Sequence, residues 1–362
     1  MKLFFTKASF RAVYGMVPAV TLLLLSTIVL SCSKNTATDQ PPILGDVYVL
    51  CEGTYMASNG SLTLYNSKTG ESRPNFFKNA NSIPLGDSPT SLTLYDGRGW
   101  LAISGSGKVF VIDPLSGVLT DKITGLNSPR YIHIVHKEKG YITNVMSSEI
   151  NIFNPTTLQL TSSITLPDGL TGEMMVCSGE YIYVNCWSYG KRIVKIDTRT
   201  DKIVASTEVG VQPMCLYMDA SGSLWTMTDG GYAGNPTGYE NPRIVRLDPT
   251  TMNITLSLEV PRGTALMHKM VMSGDRRTMY YMSGDIYRLD YKAIKLPTEP
   301  FIRAESHSFY SMGVHPIDGD LYLADAIDFK QNGVVYRYSA SSGVLLSSFS
   351  VGIAPGGFAF LL

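Results

Sequence analysis

One pattern recurs along this chain and leaves few folds open to it. A β-branched or aromatic alternation ends in Asp or Asn and runs into a turn rich in Pro, Ser, Thr and Gly. Its copies end at Asn66, Asp113, Asn154, Asp197, Asp248, Asp290 and, with a hydroxyl in place of the amide or carboxylate, Ser339. Period-two alternation marks a strand with one face in a core, because successive side chains point to opposite sides. The end residues are 47, 41, 43, 51, 42 and 49 positions apart. That period matches a four-stranded propeller blade and exceeds nearly all helical-hairpin repeats. Seven copies predict an all-β fold, a seven-bladed β-propeller of four-stranded blades forming one domain over residues 45–362.

Each unit divides further. A second strand-like run precedes every copy, at residues 47–51, 100–104, 141–145, 181–186, 224–228, 279–283 and 321–324. A third run precedes that one, starting near Pro89, Pro129, Thr171, Pro213, Leu266 and Phe309. The seventh third run does not lie ahead of residue 47 but at the far end of the chain, over residues 356–361. This permutation predicts a first blade built from both ends, with the C-terminal strand innermost and paired with the N-terminal strands. Closing the ring in this way removes the open sheet edges that invite aggregation.

The N-terminus reads differently. Lys2, Lys7 and Arg11 precede an uncharged apolar run from Val17 to Leu30, short for a membrane span and of the length of a secretory signal core. The run ends Val29-Leu30-Ser31-Cys32, which resembles the lipobox of bacterial lipoproteins, whose cysteine is acylated and becomes the new N-terminus. The other reading is an ordinary signal with a cysteine beside it. The expectation is a signal peptide over 1–31, lipidation at Cys32 anchoring the protein to a membrane, and a polar flexible tether over 32–44. Thirty Lys and Arg balance thirty Asp and Glu, and loss of the leader leaves 27 basic against 30 acidic residues. No positive field gathers nucleic acid, so that partner class is disfavoured.

The phrases Gly86-Asp87-Ser88-Pro89, Ser128-Pro129-Arg130-Tyr131-Ile132, Val209-Gly210-Val211-Gln212-Pro213, Gly222-Ser223-Leu224-Trp225 and residues 192–203 resemble the YncE-like, YVTN-repeat propellers. They are similar in particular to the surface-lipoprotein branch of gut-type Gram-negative bacteria. A subset of that branch is similar to BtuG-type lipoproteins, which capture cobalamin and hand it to a TonB-dependent transporter. The resemblance implies an outer-membrane lipoprotein, a small-molecule nutrient ligand and a TonB-dependent receptor as partner. Surface export in the branch goes with acidic residues after the lipidated cysteine. Here Ser33-Lys34-Asn35 follows, which leaves the periplasmic face open as well.

The sequence has no His-Glu-x-x-His, Cys-x-x-Cys, Gly-x-Ser-x-Gly or phosphate-loop motif. The expectation is a protein that is not an enzyme and has no metal site and no cofactor. His133 and His136 fall on opposite faces of one strand, while His268, His307 and His315 read as polar residues of the axial channel or its rim. Five cysteines are too few for a disulfide framework, though a Cys186–Cys215 bridge stays open as an alternative.

In a propeller, the loops that converge on the funnel carry the ligand. Here they supply Glu52 and Tyr55 from the first blade, then Arg130 and Tyr131, then Asn185, Trp187 and Tyr189. Gln212, Asp229, Tyr232, Tyr310 and Phe329 complete the candidate ligand-binding set, with Glu173 and Met214 on the same face. Aromatic faces with amides and a few charges suit a polar organic ligand or a protein surface. Each aromatic could equally fill space between blades, and Arg130 could pair with a carboxylate of the neighbouring blade. The leading expectation is capture of a nutrient such as cobalamin or a glycan beside an outer-membrane transporter. A protein-interaction scaffold comes second, and a propeller enzyme of the quinone-dependent dehydrogenase or lactonase type third.

Overall fold

The computed structural model describes residues 45–262 and 268–362. The expected signal peptide, Cys32 and the tether lie outside the described residues, as do Leu266 and the side chain of His268. Seven antiparallel sheets form the blades of a propeller. Their innermost strands are Pro355–Phe360, Pro89–Tyr95, Pro129–His136, Met175–Ser178, Tyr217–Met218, His268–Met272 and Phe309–Val314, for blades 1 to 7 in turn. Blade 1 is closed as the permutation predicts. Val47–Cys51 pairs on one side with Ser61–Tyr65 and on the other with Pro355–Phe360, Val47 facing Phe360 and Val49 facing Phe358.

The recurring Asp or Asn ends the third strand of its blade for a local reason. Its side-chain oxygen accepts the backbone N–H groups two and three residues on: Asp113 from Leu115 and Ser116 at 2.8 and 2.9 Å, Asn154 from Thr156 and Thr157 at 2.8 and 3.0 Å, Asp248 from Thr250 and Thr251 at 2.7 and 3.0 Å. Such Asx turns reverse the chain into the fourth strand. The apolar face of each alternation packs against the next blade, so the core is a set of inter-blade clusters. Blade 6 departs from the rule. Its sheet has three strands, and the fourth position is a single bridge in which Ile286 N–H donates to the Ile302 carbonyl at 2.9 Å. Pro297 and Pro300 remove two donors from the segment that would have formed that strand. A short helix, Phe76–Asn81, joins blades 1 and 2 and stacks Phe77 on Phe110 at 5.3 Å.

Two expectations change. Cys186 and Cys215 are free, buried thiols. They sit in different inter-blade cores, Cys186 between blades 3 and 4 and Cys215 between blades 5 and 6, and burial pushes both up to about 12. His315 does not line the channel. It is buried at the seam between blades 7 and 1, with Nδ1 3.1 Å from Asp318, Nε2 3.6 Å from Asp46 and its ring edge-on to Phe360.

An axial cavity as candidate binding site

The end of each second strand fixes where the matching innermost strand begins. Ile103 faces Pro89, Asn144 faces Pro129, Thr228 faces Pro213, Ser283 faces His268, Asp325 faces Phe309 and Cys51 faces Pro355. In blade 4, the Glu173 N–H donates to the Asn185 carbonyl at 2.9 Å and the Asn185 N–H to the Met174 carbonyl at 3.3 Å. Four of these starts share a device: Ser88, Ser128, Gln212 and Ala354, each directly before a proline, hold φ between 51° and 59°. That left-handed turn aims each carbonyl at the N–H that follows the second strand, at Ser104, Val145, Asp229 and Glu52. The residue directly after each of these starting positions, Pro355, Pro89, Pro129, Glu173, Pro213, His268 and Phe309, then contributes to the axial cavity. Going round from blade 1 these are Gly356, Thr90, Arg130, Met174, Met214, Lys269 and Tyr310, and all seven line one cavity of about 340 Å³.

The ring is chemically lopsided. Blades 4 and 5 give it Met174 and Met214, with Trp187, Cys215 and Tyr217 behind them. The remaining arc carries charge. Arg130 grips Glu173 of the next blade through Nε at 3.0 and 2.9 Å and Nη2 at 2.5 Å, and its Nη1 reaches Thr90 at 3.2 Å. Burial works against the Arg130 charge, but Glu173 overrides it and holds the guanidinium above its ordinary range. Glu52 takes the Tyr310 hydroxyl on both oxygens, at 3.1 and 3.0 Å. Lys269 Nζ lies 4.6 Å from the centre of the Tyr310 ring and, among the described residues, has no hydrogen-bond or ion-pair partner. Burial lowers its pKa, with Glu52 opposing the shift. The phenols of Tyr131 and Tyr217, raised by burial, likewise have no hydrogen-bond partner among the described residues.

The expected site residues separate into three groups. Glu52, Arg130, Tyr131, Trp187 and Tyr310 line the axial cavity. Tyr55, Tyr189, Tyr232 and Phe329 are exposed on the funnel face, Tyr55 at 77% and Tyr189 at 55%, with the Tyr189 and Tyr232 hydroxyls 3.4 Å apart. Phe329 meets Tyr310 edge-on at 5.0 Å and lines a neighbouring cavity of about 1000 Å³ with His307. Asn185 and Gln212 are corrections, since both are buried in the scaffold. Asn185 Nδ2 donates to the Pro213 carbonyl at 2.6 Å, and Gln212 Oε1 accepts from Asn235. Asp229 supports Trp187 by accepting its indole N–H at 2.9 Å, and burial raises its carboxyl pKa against that bond. Lys269 is the cavity residue the sequence reading missed. Its signal was register, for it occupies in blade 6 the place of Arg130 in blade 3, without a preceding proline to mark it. Among the described residues no three His, Cys, Asp or Glu side chains gather as metal ligands.

Comparison with known proteins adds the fold's relatives. No curated protein matches the chain. Solved structures do. A quinoprotein alcohol dehydrogenase-like protein from Bacteroides thetaiotaomicron has a TM-score of 0.65 at 15% identity, covering 88% of this chain and 78% of that one. Hydrazine synthase of Kuenenia stuttgartiensis has a TM-score of 0.56 at 13% identity, with 74% and 88% covered. Virginiamycin B lyase from Staphylococcus aureus has a TM-score of 0.54 at 15% identity, with 72% and 83% covered. At such identities the likeness carries the fold alone. The family model for a domain of unknown function, DUF5074, matches residues 45–353, and the chain belongs to that family.

Proposed function

We propose that this protein is a ligand-capturing propeller of the cell envelope. It is held at the outer membrane by lipid on Cys32, and its funnel face binds a small organic nutrient and presents it to a TonB-dependent receptor. Two observations support the reading best: the exposed aromatics of the loops, Tyr189 and Tyr232 among them, and an axial cavity to which every blade contributes a residue. Its volume of about 340 Å³ is at the lower end of what takes a small organic ligand. A ligand of cobalamin or oligosaccharide size would cover the rim aromatics and send only a part of itself down the axis. The reading is binding without catalysis, with Glu173 held by Arg130 as part of the scaffold and Glu52, beside its bond from Tyr310, left to meet a ligand.

Calorimetric titration with cobalamin and with an oligosaccharide panel tests it, with tryptophan emission as a second readout. Trp100 and Trp225 are buried in blade cores, so a ligand-dependent change reports from Trp187. Saturable binding weakened by Tyr189→Ala and Tyr232→Ala is the expected result. Silence toward every member of the panel would reject nutrient capture. The same exposed tyrosines would then favour the scaffold reading, in which the face meets another envelope protein.

A further inference from the structure

The cavity's polar groups are not equally committed. Arg130 and Glu173 satisfy one another in a forked pair. Ser91, Thr93 and Ser311 give their hydroxyl protons to the carbonyls of Arg130, Ile132 and Pro355. Two opposite charges remain without an ion-pair partner among the described residues, the Lys269 ammonium and the Glu52 carboxylate. Both line the cavity, one against the face of the Tyr310 ring and the other at its hydroxyl. The carboxylate is admitted deliberately, since a Cβ on Gly356 would overlap Glu52 Oε1. The same cavity is also lined by Met174, Met214 and Trp187.

Resting on the capture reading above, we infer that the group the axial cavity takes is an apolar zwitterion of the amino-acid or short-peptide class. Its carboxylate lies on Lys269, its ammonium on Glu52, and its side chain against Met174, Met214 and Trp187. Two charges of opposite sign without an ion-pair partner among the described residues ask for a ligand that carries both, because an anion or a cation alone answers only one of them. Electroneutrality gives the same answer. Glu52, Glu173, Arg130 and Lys269 sum to zero, and a zwitterion keeps that balance. The thioethers and the indole supply an adaptable apolar wall. The Tyr131 and Tyr217 hydroxyls add donors for the carboxylate.

The test uses wild-type protein with four probes: L-phenylalanine, the dipeptide Leu-Phe, 3-phenylpropionate, which lacks the ammonium, and phenethylamine, which lacks the carboxylate. Calorimetry is expected to find a zwitterion bound at least about tenfold more tightly than either single-charge analogue, the scale of one charged hydrogen bond. Lys269→Met should erase the preference for phenylalanine over phenethylamine, and Glu52→Gln the preference over phenylpropionate. The probe series on unmodified protein needs no variant to fold. Phenylpropionate binding as tightly as phenylalanine would overturn the inference, as would zwitterion binding that ignores both substitutions, or no binding of any probe. Cobalamin or oligosaccharide bound with undiminished affinity by Lys269→Met and Glu52→Gln would sink this inference while leaving the capture reading in place.

Discussion

Two charge pairs share one ring and have opposite fates. Arg130 and Glu173 close on each other at 2.5 Å across the boundary of blades 3 and 4. Lys269 lies against the face of the Tyr310 ring and Glu52 at its hydroxyl, and the two form no ion pair. The difference comes from neighbours. Glu173 occupies the position where blades 2, 3, 5 and 1 have proline, so its side chain falls within reach of the adjacent guanidinium. The second strand of blade 1 ends at Cys51, and Glu52 leans over Gly356 toward blade 7, not toward Lys269. One pair fastens blades together, and the other leaves two charges without an ion-pair partner among the described residues.

Both pairs presuppose a closed ring, and opening it should have the largest effect. Deletion of 354–362 removes Gly356 from the ring and uncovers Val47–Cys51, whose five residues are all buried. Expected is loss of the cooperative thermal transition together with rapid proteolysis, whereas a native-like melt would show that the seam is dispensable. Next in size is Gly356→Val, which favours the strand but expels Glu52 from its place. It should weaken zwitterion binding by at least about tenfold while stability changes by no more than about 1 kcal/mol. Undisturbed binding in that variant would remove Glu52 from the site. Smallest is a change away from the ring. Asp113→Ala deprives two turn N–H groups of their acceptor and should cost about 1 kcal/mol in denaturant titrations, with ligand binding unaltered. The Ser116 and Leu115 N–H groups hold the Asp113 carboxyl below its ordinary value. Its contribution is therefore present above the unfolded value and is lost as pH falls through the folded one, and the variant should lack that acid-side loss.

Much of the fold was legible because a blade writes itself twice, once as period-two alternation and once as the Asx turn that ends its third strand. The strand 192–197 and its turn at Asp197 were found for both reasons. Blade closure was legible because one innermost run was missing in front of residue 47 and present after residue 355. Blade 6 was harder, since Pro297 and Pro300 interrupt its fourth strand without erasing the repeat. In the site, the alternative partner for Arg130, a carboxylate of the neighbouring blade, is the one found. Asn185 and Gln212 misled because a polar side chain at the end of a strand can face ligand or brace the next strand, and only the tertiary hydrogen bonds decide. Lys269 was passed over because the innermost run of blade 6 was expected to start near Leu266 and starts at His268, a two-residue shift that no proline marks.

The contrast between the two pairs is tested most directly by measuring unfolding free energies of Arg130→Met and Lys269→Met at neutral pH and again near pH 10. Removing Arg130 leaves the buried Glu173 carboxylate unpaired and should cost about 3–5 kcal/mol. Removing Lys269 deletes a desolvated ammonium that has no hydrogen-bond or ion-pair partner among the described residues and should leave stability unchanged or slightly higher at neutral pH. Burial lowers the folded pKa of Lys269, so the unfolded chain binds the proton more tightly. Wild-type stability then recovers as pH rises from the folded value toward the ordinary lysine value, and any advantage of the variant shrinks over that alkaline window. Equal and large losses in both variants would contradict the account, for they would make Lys269 as much a structural fastener as Arg130.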